Sequence, residues 1–312
     1  MKHFLFGGIS LLIFLSSCKK SAGDNPDETV KFPFFAEWNP GGLQASAEFS
    51  GSKAVGPVTY LNEASGLCVS LKNKGFLWAH NDGGSRPYLY LIDKKTAQLK
   101  ATFNIKNLPS GDFEDIAIGG GPVAGKSYIY FADIGDNSQN RAQVVVYRVE
   151  EPELSGIERG VTELSTPFDK FIFTYPDGAR DAETIMLNPD TKDLYIVSKR
   201  QLHNILYVGR YPYNTGSATE LIQTGTFPFT LSTAGDIAAD GSSILIKTYN
   251  QVFYWKKEKD EPLLNLLSRE PKTVPYTSEP QGEAICMDTD GYYTLSEKTE
   301  GNVPVLYFYA RR

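Results

Sequence analysis

The chain is poor in the residues that carry most enzyme chemistry. Its 312 residues include three histidines, three cysteines, three methionines and three tryptophans, and only His80 and His203 lie beyond the N-terminal apolar segment. Neither G-x-S-x-G nor H-E-x-x-H occurs, so the sequence encodes no nucleophile elbow and no zinc-protease helix. No Lys/Arg-rich block is present and the formal charge is −6, which excludes the electrostatic footprint of a nucleic-acid binder. Helical periodicity over ten or more residues is missing. What remains is 41% hydrophobic, 12% aromatic and 22% charged, an ordinary globular composition long enough to bury a real core.

The N-terminus, "MKHFLFGGISLLIFLSSCKK", has the layout of an export signal: Lys2, an apolar run from Phe4 to Leu15, then small residues before Cys18. The run is too short to span a bilayer comfortably. "LSSC" resembles the lipobox of bacterial lipoproteins. The resemblance implies cleavage before Cys18, lipidation of Cys18 and anchoring of the exported chain to a cell-envelope membrane through lipid. Residues 1–17 are thus expected as a lipoprotein signal peptide and residues 18–34 as a flexible polar tether. Cys68 and Cys286 lie in apolar runs. Buried free thiols are the expectation there, with a disulfide the alternative.

From about residue 60 one pattern recurs: an acid, a small or polar residue, then an apolar strand. It appears in "NEASGLCV", "FEDIAI", "AETIML", "GDIAAD" and "GEAICM". Taking the acids as Glu63, Glu114, Glu183, Asp236 and Glu283, the separations are 51, 69, 53 and 47 residues, the period of a propeller blade. Each unit continues into a second apolar strand with a polar end and a third with aromatic alternation. A fourth strand follows in all but the last unit. The sequence therefore predicts one all-β propeller domain over residues 35–312, five-bladed with six blades as the alternative. The strand-like segment "LQASAEFS" at 43–50 should complete the last blade and remove its free edge.

In such a ring the first strands all begin at one mouth of the channel, and the second strands end there. The five acids should therefore meet the polar strand ends there. The candidate ligand-binding residues are Glu63, Asn81, Asp82, Glu114, Asp136, Arg141, Asp181, Glu183, Arg200, Glu283 and Glu297. At the same mouth Glu63, Glu114, Asp133 and Glu183, helped by Asn81 or Asn137, are expected to hold a divalent cation such as calcium, because converging carboxylates must gain protons, pair with bases or take a cation. The competing reading is a static network in which Arg86, Arg141, Arg180, Lys199, Arg200 and Lys298 pair with the acids. His80, beside Asp82 in "WAHNDGG", is the candidate general base.

Two motif matches carry less. "GGPVAGKS" at 120–127 fits a phosphate loop, but a strand follows where a helix is needed, so it reads as a glycine-rich hairpin. "DTDG" at 288–291 begins like a calcium loop but has Thr299 where the twelfth-position Glu belongs.

The phrases "EASGL…LWAHNDGG", "DFEDIAI…FADIGDN", "YPDGARDAETIML…LYIVSKR" and "QGEAI…YYTLSEK" make residues 60–300 similar to a set of exported bacterial β-propeller proteins of poorly defined function. More remotely, the chain resembles the esterase-like phytase and gluconolactonase-type propellers. That likeness implies calcium at the mouth, with Glu63, Asn81, Asp133 and Glu183 as ligands. Two functions follow as expectations: an envelope lipoprotein that binds a glycan or protein partner at the mouth, or a metal-dependent hydrolase of an ester, lactone or phosphoester.

Overall fold

The computed structural model describes Met1 and residues 33–83, 88–154 and 160–312. Arg86 and residues 2–32, with the expected signal peptide, Cys18 and most of the expected tether, lie outside the described residues.

Five sheets, each built on four antiparallel strands, form five blades around a common axis. Blade 1 comprises Ala64–Val69, Phe76–Asn81, Tyr88–Asp93 and Leu99–Ile105; blade 2 comprises Phe113–Gly120, Ser127–Asp133, Val144–Glu150 and Phe168–Thr174. Blade 3 is Ala182–Leu187, Leu194–Ser198, Ile205–Gly209 and Ile222–Thr226; blade 4 is Ser232–Ile237, Ser243–Thr248, Val252–Lys256 and Lys272–Val274. Blade 5 takes Gly282–Asp288, Gly291–Ser296 and Val305–Ala310 from the C-terminal end and Lys53–Pro57 from the N-terminal end. Each inner strand packs against the inner strands of both neighbours, blade 5 against blade 1 included, so the ring is closed.

The strand sequences follow from this packing. An inner blade strand is covered on both faces, so its residues are buried throughout, as in Ala182–Leu187, and alternation disappears. Outer strands face water on one side and keep it, as in Phe168–Thr174. The one α-helix among the described residues, Leu263–Ser268, buries Leu263, Leu264, Leu266 and Leu267 in the core between blades 3 and 4.

Closure is made by the N-terminal chain, though not by the segment expected. Residues 43–50 carry only two isolated bridges, Ala45 to Thr273 and Phe49 to Arg311, and the strand that completes blade 5 is Lys53–Pro57, antiparallel to Val305–Phe308. Apolar–polar alternation in "LQASAEFS" imitates a strand, but Phe49 is spent on an inter-blade core, edge-on to Tyr254 and Tyr292 at 5.2 and 5.0 Å. Further upstream, Phe34–Phe35 pairs in parallel with Gly225 and Thr226 on blade 3. Trp38 sits among Phe229, Phe253 and Trp255. Residues 34–57 thus form a belt across the outer edges of blades 3, 4 and 5.

Both Cys68 and Cys286 are buried free thiols. Among the described residues no helix is long and apolar enough to cross a membrane.

Candidate functional site

The mouth is built by one repeated irregularity. The first pairs of the inner hairpins join Ala64 to Asn81, Phe113 to Asp133, Ala182 to Ser198, Ser232 to Thr248 and Gly282 to Ser296, and directly after each the register slips by one residue. Five β-bulges therefore stand at one level of the channel. A bulge leaves its extra residue outside the ladder and re-aims the side chain. The extra residues are Ser65, Glu114, Glu183, Thr233 and Glu283. Three acids, not five, share this ring.

Glu63 and Asp236 belong elsewhere. Glu63 is exposed, its backbone N–H donating to Asn81 Oδ1 at 3.2 Å. Asp236 lies three residues deeper than Thr233 along its strand and accepts from Met287 N at 2.8 Å. Only strand register separates these positions from the true equivalents, Ser65 and Thr233, which are small and neutral and so escaped the acid-before-strand pattern.

The residues that follow the second strands, Asp82, Lys199, Tyr249 and Glu297, form a second tier over the bulges. Lys199 donates to Glu183 Oε1 and, at 2.8 Å, to Tyr249 Oη, while Glu283 Oε1 lies 3.8 Å from its ammonium. Tyr249 in turn donates to Glu283 Oε1 at 2.6 Å. On blades 2 and 3, Arg141 pairs with Asp133 at 2.9 Å, and its backbone N–H donates to Asp136 Oδ2 at 2.8 Å. Arg200 pairs with fully buried Asp181 at 2.5 Å, and Asp181 also accepts from Asp136 N at 2.8 Å. Exposed Asn137 accepts from Arg200. Arg180 pairs with Asp177, and Lys298 is exposed.

So part of the static network exists, and it claims two of the four expected metal ligands, Asp133 and Glu183. A different trio is brought together: Asp82, Asp112 and Glu114 each offer a carboxylate oxygen, and these oxygens lie within 4.8 Å of one another. Asp112 and Glu114 take part in none of the ion pairs just described. Asp112 is pinned by its backbone, its N–H donating to Asp133 Oδ1 at 3.1 Å and its carbonyl accepting from Gly135 N at 3.3 Å. Gly135 leaves room for this arrangement, because a Cβ there would push Glu114 Oε1 and Asp112 Oδ2 from their places. Asp112 was not among the sequence candidates, although it opens the "DFEDIAI" repeat; it stands before the inner strand, where a turn acid is the ordinary expectation.

Burial, then mutual repulsion, dominates the electrostatics. Asp82 is pushed up to about 6, chiefly by burial and then by Asp112, Glu283 and Glu63. Glu114, only 2% exposed, is pushed up to about 11 by burial, Glu183, Asp82 and Asp112. Glu297 is pushed up to about 9 by burial and by Glu283. Asp112 is raised by burial, with Arg141 opposing. Burial also raises Glu183, to about 8, against the pull of Lys199. Without a cation the mouth therefore holds protons that a carboxylate in water would have released.

His80 is not part of this cluster. It is 1% exposed, its Nδ1 lies 2.7 Å from Asn81 O, and its ring faces Phe113 and Phe131 at 6.4 and 6.2 Å. Burial lowers it to about 4, so it is a neutral core histidine. His203 is exposed in a connecting segment.

These observations define a five-bladed β-propeller with an acidic channel mouth. No protein-family model and no curated protein matches the chain. Among solved structures it is similar to a calcium structure of Trichoderma reesei Carbohydrate-Active Enzymes Family AA12, with 10% identity and a TM-score of 0.44 over 79% of this chain and 80% of that one. It is also similar to a chain of a nidogen/laminin complex, with 10% identity and a TM-score of 0.43 over 75% and 72% of the two chains. A third is the Dos1 propeller, at 11% identity and a TM-score of 0.33 over 80% and 78%.

Proposed function

We propose that the mouth binds a divalent cation such as calcium through Asp82, Asp112 and Glu114, and that the protein uses this centre to hold an envelope ligand. The observation that carries the reading is the approach of three carboxylates from two blades to within 4.8 Å, one of them, Glu114, 2% exposed and in no ion pair among the described residues. A hard cation with six to eight oxygen ligands relieves that repulsion, and waters or a bound ligand complete its shell. The rim suits a hydroxyl-rich partner such as a glycan, with Asn137, Gln139 and Gln201 offering amides around Arg200. Binding is preferred to ester, lactone or phosphoester hydrolysis because the histidine expected as base is sealed in the core.

Isothermal titration of the chelator-treated protein with calcium tests this. Wild type should bind one ion per chain, and Asp112→Asn or Glu114→Gln should weaken binding at least about tenfold, a loss of ~1.4 kcal/mol. Undiminished binding in both variants would remove the assignment.

A further inference from the structure

Lys199 occupies a position in the mouth that its surroundings would otherwise offer to a second metal ion. Its stem comes from the end of the second strand of blade 3, and its ammonium is enclosed by groups from three blades. Glu183 Oε1 accepts from it, Tyr249 Oη lies at 2.8 Å and Glu283 Oε1 at 3.8 Å. Both carboxylates are about as buried as the lysine, their side chains 6% and 5% exposed against 6%. Glu183 Oε2 is buried beside them without a hydrogen-bond partner. Three acceptor groups thus converge on one cationic atom, and a fourth oxygen stands by unused. That is a cation shell whose ion is attached to the chain. The ammonium donates to Glu183 and Tyr249, meets Glu283 only at ion-pair distance and brings one charge, where a divalent ion would take more oxygens and carry two.

We infer that Lys199 is a tethered cation that fills the second of two adjacent cation positions in the mouth and thereby limits the protein to one exchangeable metal ion. The inference rests on the reading of Asp82, Asp112 and Glu114 as the exchangeable site. Replacing the ammonium by the uncharged end of Gln or Met vacates its place among Glu183, Glu283 and Tyr249 and leaves their oxygens to a calcium ion held on two carboxylates.

The test is calcium stoichiometry by isothermal titration calorimetry on wild type, Lys199→Gln, Lys199→Met and Lys199→Arg. One ion in wild type and Lys199→Arg, with two in Lys199→Gln and Lys199→Met, is the expected result. One ion in all four overturns the inference and leaves the mouth site standing. No ion in wild type but one in Lys199→Gln upholds the tethered cation and removes the wild-type site; no ion in any protein removes both. Should Lys199→Gln be unfolded in chelator, calcium must restore its near-ultraviolet circular dichroism, and failure to refold at saturating calcium overturns the inference.

Discussion

The three carboxylates of "DFED" do three different things. Asp112 stands before the strand and faces the mouth, and Glu114 is the bulge residue aimed into it. Asp115 is the next residue and is fully buried, accepting from Ile116 N at 2.8 Å, Ile185 N at 3.1 Å and Gly235 N at 3.4 Å. It therefore ties the inner strands of blades 2, 3 and 4 together by main-chain donors. Asp115→Ala orphans those donors and should cost at least about 3 kcal/mol in urea unfolding, while the calcium dependence of the folded fraction survives. Glu114→Gln puts a neutral isostere in place of a carboxyl that the cation-free mouth keeps protonated, so it should leave chelated stability within ~1 kcal/mol of wild type while abolishing that calcium dependence. If the two variants behave alike, the division of labour is wrong. The sequence showed that an acid precedes each strand at Glu114, Glu183 and Glu283, because the bulge fixes that spacing. It could not show that the neighbouring carboxylate points the other way, nor that His80, one residue from Asn81, turns its ring toward Phe113 and Phe131.

At the scale of elements, the blade repeat was legible because each unit repeats an apolar inner strand, a second strand with a polar end and an aromatic third strand. The last unit's missing fourth strand also announced closure from the N-terminal side. The closing strand itself was misplaced by some ten residues. "KAVGP" has only five residues, all at least partly exposed, and reads as a loop beside the aromatic "LQASAEFS". The parallel fifth strands were not legible at all: Val161–Leu164 on blade 1 and Thr219–Glu220 on blade 2 are short and pair with strands distant in sequence. Each covers an edge that would otherwise present unpaired backbone groups. Deleting residues 36–55 removes Trp38, Phe49 and the first three of the closing strand's 5 residues, so the whole domain should lose its cooperative thermal transition. A truncated chain that melts like the full-length protein would show that the belt is not what holds the ring shut.

For the whole molecule, closing five blades forces the charged bulge tier into one small space. The cost appears as proton uptake. Asp82 at about 6, Glu183 at about 8 and Glu297 at about 9 lie above the ordinary carboxylate value near ~4. The unfolded chain therefore releases protons near pH ~4 that the folded mouth retains. This stabilising contribution is complete below the unfolded value and is lost as pH rises through the folded values. His80, lowered to about 4, acts in the opposite sense, but only below its unfolded value near ~6.5, where the folded protein resists a proton that the unfolded chain accepts. Lys247, lowered by burial to about 8, also opposes the carboxylates above that value, but Glu297 and Glu114 outweigh this single group up to pH ~9, so the cation-free protein should melt at progressively lower temperature as pH rises from ~6.5 to ~9. A bound divalent ion replaces the protons and binds only the folded ring, which adds ~2.7 kcal/mol at a hundredfold excess over Kd, or about 5 °C for a domain of this size. Differential scanning calorimetry with calcium and with chelator, at both ends of that pH range, is the most direct test. The account predicts a higher Tm in calcium at both, with the larger gap at the alkaline end; superimposable curves with and without calcium at both pH values would contradict it.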